Sequence, residues 1–317
     1  MARTFIKNLN EISIKDFDTV GGKNSSLGEM ISNLSELGVN VPGGFAITSS
    51  AFDEFLSSSK IDKVISKELA NLNVENLSDL RRVGKKLRGL ILKTPLPQNL
   101  ISEIEHAWLG ASQSGKSFAV RSSATAEDLP DASFAGQQET FLNIDGFDNL
   151  IDAVRKVYAS LFTDRAISYR RLRNFKGSLS ISVGVQEMVR SDIGSSGVAF
   201  TLDTESGYRG SIFITSSYGL GEGIVQGTVN PDEFYVFKRA LEKNDFPIIK
   251  KNLGEKAKKM IFADNNLPGK SVKYVKVPKK EANEFSLTNS EIIELAKYAK
   301  TIEDHYKVPM DIEWAKD

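Results

Sequence analysis

The chain has 317 residues with 41 Lys and Arg against 41 Asp and Glu, an isoelectric point near 6.8 and no cysteine. The length predicts two or three lobes, the balanced charge argues against nucleic acid or an anionic membrane as partner, and the lack of cysteine rules out disulfides, thiolate metal sites and thiol nucleophiles. The opening stretch MARTFIKNLNEISIKDF has no apolar leader core and no window has the character of a membrane span, so the expectation is a cytoplasmic protein.

Residues 21–38 place Leu27, Met30, Ile31, Leu34 and Leu37 on one helical face, with Gly38 where a helix stops. VPGGFAITSSAF then predicts a turn, a short strand and a helix capped by Ser49 or Ser50. From 50 to 109 the pattern is helical through Phe52, Phe55, Leu56, Ile61, Val64 and Ile65, then Leu100, Ile101, Ile104 and Trp108, with Pro95 and Pro97 interrupting it. Phe118–Val120 reads as a strand, and a helix near 148–173 carries Leu150, Ile151, Val154, Val157, Tyr158 and Leu161, with Asp148 as its cap. Strands follow in LSISVGVQEMV, GVAFTL, GSIFITSS, EFYVFK and SVKYVKV, while the lysine-rich stretch 251–271 reads as an excursion between strands. A last helix starts at the capping box Thr288–Glu291 and runs to about Tyr306 through Ile292, Leu295, Ala296, Ala299 and Ile302. No internal repeat is present. The class is α+β, helix-rich first and sheet-rich later, in expected segments 1–110, 111–195 and 196–317.

Four places could carry chemistry. Gly21, Gly22 and Lys23 open a helix, where backbone amides and a lysine can hold a phosphate; the same pair of glycines can be a plain turn, and the Walker pattern is absent. Arg121 follows the apolar run Phe118–Val120, on a strand end or just past it, and wants a carboxylate or phosphate for its planar fork. It either meets such a ligand or pairs with Glu127, Asp128 or Asp131 in its own loop, a loop that also offers the hydroxyls of Ser122, Ser123, Thr125 and Ser133 and the bare backbone of Gly136. In GVQEMVRSD, Gln186 and Glu187 interrupt an apolar strand before Met188 and Val189; such an exit can read a purine edge or simply reach solvent. In MDIEWAKD, Asp311 and Glu313 stand two apart, which on a strand sends both carboxylates to one face and suits Mg²⁺, although paired acids near a terminus are often only solvated. The pattern there is mid-strand where the chain stops. His106 on one helix and His305 in the last turn of another read as structural.

The runs VGGKNSSLGEMI, FAVRSSATAEDLPDASFAGQQETFLNI, LFTDRAISYR, SSGVAFTLDTESG, GLGEGIVQGTVNPDEFYV, FSLTN and MDIEWAKD together resemble the N-terminal nucleotide-binding region of the phosphoenolpyruvate synthases (pyruvate, water dikinases), within the pyruvate phosphate dikinase family, from about residue 5 to 317. The resemblance implies an ATP-grasp-like fold with ATP in a cleft between two lobes. It implies that Lys23, with Gly22, contacts the ATP phosphates, and that Arg121 steadies the transferring group. The loop from Ser122 and Ser123 through Gly136, Gln137 and Gln138 would close over the phosphates beside Thr140. Gln186, Glu187, Met188 and Val189 would form the adenine side, and Glu313 and Asp311 would hold Mg²⁺. In such enzymes the β- and γ-phosphates of ATP pass to a histidine on a separate domain, and a phosphoryl group then reaches pyruvate in a third. Neither the phosphohistidine domain nor the pyruvate-binding domain has a counterpart in this sequence, nor has the metal-binding glutamine that follows the Asp-x-Glu pair in the family. An excised domain or a natural fragment is therefore expected, incomplete for overall turnover. The competing expectations are the donor domain of a related dikinase, such as an antibiotic (rifampicin) or glucan dikinase, and a silent nucleotide-binding module. A nucleic-acid reading of Arg165, Arg170, Arg171, Arg173 and Lys176 is weaker than a solvated helix face.

Overall fold

The computed structural model describes residues 4–123, 128–129, 132–133, 139–173, 180–243 and 245–317. Contacts gather the chain into two units: Met1–Ser32, Val41–Met188 and Asn266–Gly269 form the first, and Asn33–Asn40, Val189–Asn265 and Lys270–Asp317 the second.

In the first unit, β1 (Ile6–Asn8), β2 (Gly44–Ile47), β3 (Phe118–Ser123), β6 (Thr140–Ile144) and β7 (Ser182–Glu187) make one antiparallel sheet in the order β1-β2-β7-β3-β6, while β4 (Asp128–Leu129) and β5 (Ala132–Ser133) pair separately. Strand alternation sends Phe45, Ile47, Phe118, Val120, Val183 and Val185 into one core. The helices α2 (Ser49–Ser58), α3 (Asp62–Ala70), α4 (Leu77–Lys93), α5 (Gln98–Ala111), α6 (Phe147–Ser160) and α7 (Asp164–Leu172) supply its other wall, with Phe52 and Phe55 against Tyr158 and Trp108 against Phe118. Helix α1 (Phe17–Leu34) belongs to a smaller cluster on the opposite face, where Val20, Leu27 and Ile31 meet Leu9, Ile12 and Ala46.

Two caps differ from expectation. Thr48 rather than Ser49 or Ser50 stands before α2, its hydroxyl donating instead to the Thr4 carbonyl at 2.8 Å. The long helix expected at 148–173 is two helices: Gly146, not Asp148, precedes α6, and the Thr163 hydroxyl accepts from the Ala166 amide at 3.2 Å to start α7. Arg165, Arg171 and Arg173 are exposed, as a solvated face requires, whereas Arg170 is half-buried. Arg170 donates to the Leu161 carbonyl and Arg171 to the Leu69 carbonyl, and desolvation pulls the Arg170 guanidinium down to about 10. Lys176 lies outside the described residues.

The turn before α1 is tied by charge. Lys7 Nζ donates to Asp16 Oδ1 at 2.5 Å and the Ser13 amide donates to Oδ2 at 2.9 Å. Lys7 first, with Ser13 behind it, holds the Asp16 carboxyl below the ordinary range. A folded-state pKa below the unfolded value gives stability that is complete above the unfolded pKa and lost as pH falls through the folded one. Asp16→Asn should therefore lower stability by about 1 kcal/mol at pH 7, and the gap to the parent should close on titration toward pH 3 in scanning calorimetry. A gap that stays constant over that range would contradict the assignment.

In the second unit, β8 (Ser195–Phe200), β9 (Ser211–Tyr218), β10 (Asp232–Phe237), β11 (Ile248–Asn252) and β14 (Asp311–Lys316) form an antiparallel sheet in the order β11-β10-β9-β8-β14, and β12 (Lys258–Phe262) pairs with β13 (Val272–Lys276). The short helices α8 (Glu222–Val225) and α9 (Lys238–Glu242) join strands of the larger sheet, and α10 (Lys279–Ala282) follows β13. Helix α11 (Asn289–Tyr306) begins at the expected capping box, with the Glu291 amide donating to the Thr288 hydroxyl. Its Ile292, Ala296 and Ala299 pack on Ala199, Ile212, Ile214 and Phe234.

Candidate functional site

Arg121 lies in β3, two residues before its end at Ser123. Alternation puts Arg121 and Ser123 on the face opposite the large core, and the cross-strand neighbours of Arg121 are Gly184 on β7 and Thr140 on β6. Thr140 is exposed on that face. The next residue on the same side of β7 is Gln186, whose Oε1 accepts from Arg121 Nη2 at 3.1 Å. Ser122 is buried beside Val183, its cross-strand partner, away from this face.

Helix α1 delivers Lys23 to the same face. The helix is broken at Gly21, with φ 74° and ψ 169°, a region that only glycine occupies readily. A Cβ at Gly21 would stand 2.3 Å from the Ser123 carbonyl oxygen, so the break is also a close approach to β3. Just past it, the Asn24 amide donates to Ser123 Oγ at 3.2 Å, and Asn24 Nδ2 donates to Ser182 Oγ at 3.1 Å and to the Val20 carbonyl at 3.1 Å. Asn24 lies over Gly184, where a Cβ would meet Asn24 Oδ1 at 2.4 Å. Gly22 is buried and Lys23, between these anchored neighbours, is exposed. The structure thus brings Gly22, Lys23, Arg121, Ser123, Thr140 and Gln186 to one face of one sheet. Cationic groups beside amide and hydroxyl donors form a setting for a phosphate-bearing ligand.

At the end of β7 the backbone is already engaged. The Glu187 amide donates to the Gly43 carbonyl and the Met188 amide to the Ser117 carbonyl, both at 2.9 Å. The Glu187 side chain pairs with Lys116 at 3.1 Å, and Met188 Sδ accepts from the Asn143 amide at 3.0 Å. Val189 opens the Val189–Asn265 segment of the second unit. Gly136 and Gln137 lie outside the described residues.

In the second unit, Asp311 and Glu313 stand on β14 as the spacing requires: both are exposed on one face, while Ile312 and Trp314 point to the α11 side and join the core. Desolvation, and behind it the Glu313 carboxylate, raises the Asp311 carboxyl above its ordinary value. Two like charges so placed favour a cation, and a hard one such as Mg²⁺ takes one or two protein carboxylates and fills its remaining positions with water and phosphate oxygens. Among the described residues no three His, Asp or Glu are grouped to hold a metal unaided. His106 is exposed on α5 and His305 sits in the last turn of α11 against Tyr306.

One polar centre escaped sequence reasoning. Asp232 and Lys256 form an ion pair with both side chains at 0% exposure. Asp232 Oδ1 also accepts from the Gly254 amide at 2.9 Å, and Oδ2 accepts from the Ser286 amide at 2.8 Å and the Ser286 hydroxyl at 2.7 Å. Nothing in the spacing of Asp232, Gly254, Lys256 and Ser286 along the sequence points to that convergence.

No helix among the described residues is long and apolar enough to cross a membrane. Residues 17–317 match the family model described as the pyruvate phosphate dikinase AMP/ATP-binding domain. Proteins named phosphoenolpyruvate synthase are similar along nearly all of the chain: one from Neisseria meningitidis serogroup B is 56% identical over 100% of this chain and 41% of its own length, and one from Escherichia coli K12 is 52% identical over 97% of this chain and 39% of its own. A probable phosphoenolpyruvate synthase from Methanothermobacter thermautotrophicus is 39% identical over 98% of this chain and 44% of its own length. The chain spans about two fifths of the length of the curated relatives it matches.

Proposed function

The chain belongs to the family of the pyruvate phosphate dikinase AMP/ATP-binding domains, and on that premise we propose that it is the ATP-binding, phosphoryl-donor domain of a phosphoenolpyruvate synthase, converting ATP, pyruvate and water to AMP, phosphoenolpyruvate and phosphate as part of a longer protein. Its two sheets are the two lobes of an ATP-grasp-like fold. The observation that carries the reading is the joint placement of Arg121, Gln186 and the anchored Gly21–Asn24 turn on one face of the first sheet. Lys23 and Arg121 bind and orient the phosphate chain, with Thr140 and the hydrogen-bonded Ser123 and Asn24 beside it. Phosphoryl transfer asks a protein mainly for positioning and charge neutralisation, which is what cations and fixed donors supply.

Since the Glu187 and Met188 amides are engaged in the sheet, an adenine edge would be met by the Glu187 carbonyl and the Val189 amide. Asp311 and Glu313 would hold Mg²⁺, which neutralises phosphate oxygens when bound. The acceptor histidine and the pyruvate site lie on the domains that account for the greater length of the relatives.

Calorimetric titration with a non-hydrolysable ATP analogue, with and without Mg²⁺, tests the reading. Lys23→Ala and Arg121→Ala should each weaken binding about tenfold, near 1.4 kcal/mol. Asp311→Asn with Glu313→Gln should abolish the Mg²⁺ dependence and leave metal-free binding in place. Nucleotide binding indifferent to both metal and the two cations would instead favour a silent nucleotide-binding module, and no binding by the folded chain would refute the donor-domain assignment for this segment.

A further inference from the structure

Gln186 was expected on the adenine side, yet its amide is committed elsewhere. Direct partners across the β3–β7 pair are Arg121 with Gly184 and Ala119 with Gln186, so Arg121 and Gln186 are diagonal neighbours on one face. Diagonal pairs on antiparallel strands lie within reach when the side chains are long. Arg121 Nη2 donates to Gln186 Oε1 at 3.1 Å, and Gln186 Nε2 donates to the Pro42 carbonyl at 3.2 Å. The direction of both bonds is fixed by chemistry: a guanidinium can only donate and a backbone carbonyl can only accept, so the amide cannot be turned over without breaking both. On the other flank, the partner of Gln186 on β2 is Gly44, which has no side chain to block the amide's path to Pro42. Both ends of the amide are thus in use, one on the arginine and one on the carbonyl of a proline whose φ is fixed by its ring.

We infer that Gln186 is a positioning residue for the phosphate end of the nucleotide, acting through Arg121 rather than reading the base. It restricts the guanidinium to one orientation before the ligand arrives, so that less side-chain freedom is lost on binding. The inference rests on the ATP-domain reading above.

The test compares a non-hydrolysable ATP analogue with AMP, which lacks the β- and γ-phosphates, by calorimetry on the 317-residue chain. Gln186→Met keeps the length of the side chain and removes both hydrogen bonds. It should weaken the ATP analogue roughly three- to tenfold, the range expected for one hydrogen bond, and leave AMP within about twofold by the same scale. In an Arg121→Ala background the same change should have no further effect, since the group it positions is gone. Gln186→Glu is the second variant, for the case in which the first fails to fold: it keeps an acceptor for Arg121 but neutralises its charge, and should again weaken the ATP analogue selectively. Equal losses for both nucleotides, or losses that add to those of Arg121→Ala, would overturn the inference and leave the ATP-domain reading intact. A folded parent chain that binds neither nucleotide would overturn both.

Discussion

Asp232→Ala is expected to destabilise the second unit by about 3–5 kcal/mol. Asp232 and Lys256 are both wholly removed from solvent, and the carboxylate collects four donors: the Lys256 ammonium, the Gly254 and Ser286 amides and the Ser286 hydroxyl. Removing it strands an ammonium and two amides away from water, and an uncompensated buried charge is far more costly than the pair was favourable. The change also strikes three separate segments at once, since β10, the 254–256 turn and the approach to α11 at Ser286 all converge on one side chain. Hydrogen exchange read by mass spectrometry locates the effect. Protection should fall first at Gly254 and Ser286 and along β10, while the β2–β7–β3 core of the first unit keeps its exchange rates. If the variant melts like the parent, or loses protection only in the first unit, the buried pair does not hold the unit together.

The cooperative signals in this sequence were the ones with a fixed spacing. The capping box at Thr288–Glu291 marked the start of α11 to the residue, and the two-residue spacing of Asp311 and Glu313 gave a shared strand face. Strands β11 and β12 were hidden because lysines occupy them. In the structure the ammonium of Lys250 lies 5.1 Å from the centre of the Tyr235 ring, that of Lys251 4.7 Å from Phe285 and that of Lys258 4.4 Å from Tyr274, so lysines on these strands sit over aromatic faces. A hydropathy pattern registers such residues as polar and misses the strand. The site divides in the same way. Arg121 and Lys23 stood out in the sequence as candidate anion-binding cations, but the tie from Arg121 to Gln186 joins residues 65 apart and depends on a register that no local pattern encodes. Ser122 and Ser123, adjacent in sequence and alike in chemistry, end on opposite faces because strand alternation separates them.

Gly21→Ala should lose about 3 kcal/mol of stability and weaken the ATP analogue at least about tenfold, two readouts that fail together for one reason. The residue sits at φ 74° and ψ 169°, where any side chain is strained, by about 1–3 kcal/mol on its own. Relaxing the backbone does not relieve the second problem, because the added Cβ would face the Ser123 carbonyl oxygen at 2.3 Å and its carbonyl carbon at 2.5 Å, both part of β3. Either the helix start or the strand must retreat. Retreat of the helix breaks the bonds from Asn24 to Ser123 and Ser182 and carries Lys23 off the face that holds Arg121. Gly89→Ala is the control: it lies in α4 of the same unit with open space where its Cβ would go, and it should raise stability by about 0.5–1 kcal/mol without touching affinity. Thermal unfolding and calorimetric titration of both variants decide the matter. A Gly21→Ala chain that melts lower but binds the ATP analogue as the parent does would separate the helix break from the proposed phosphate site; one that keeps both properties would show that the turn can be rebuilt around a side chain.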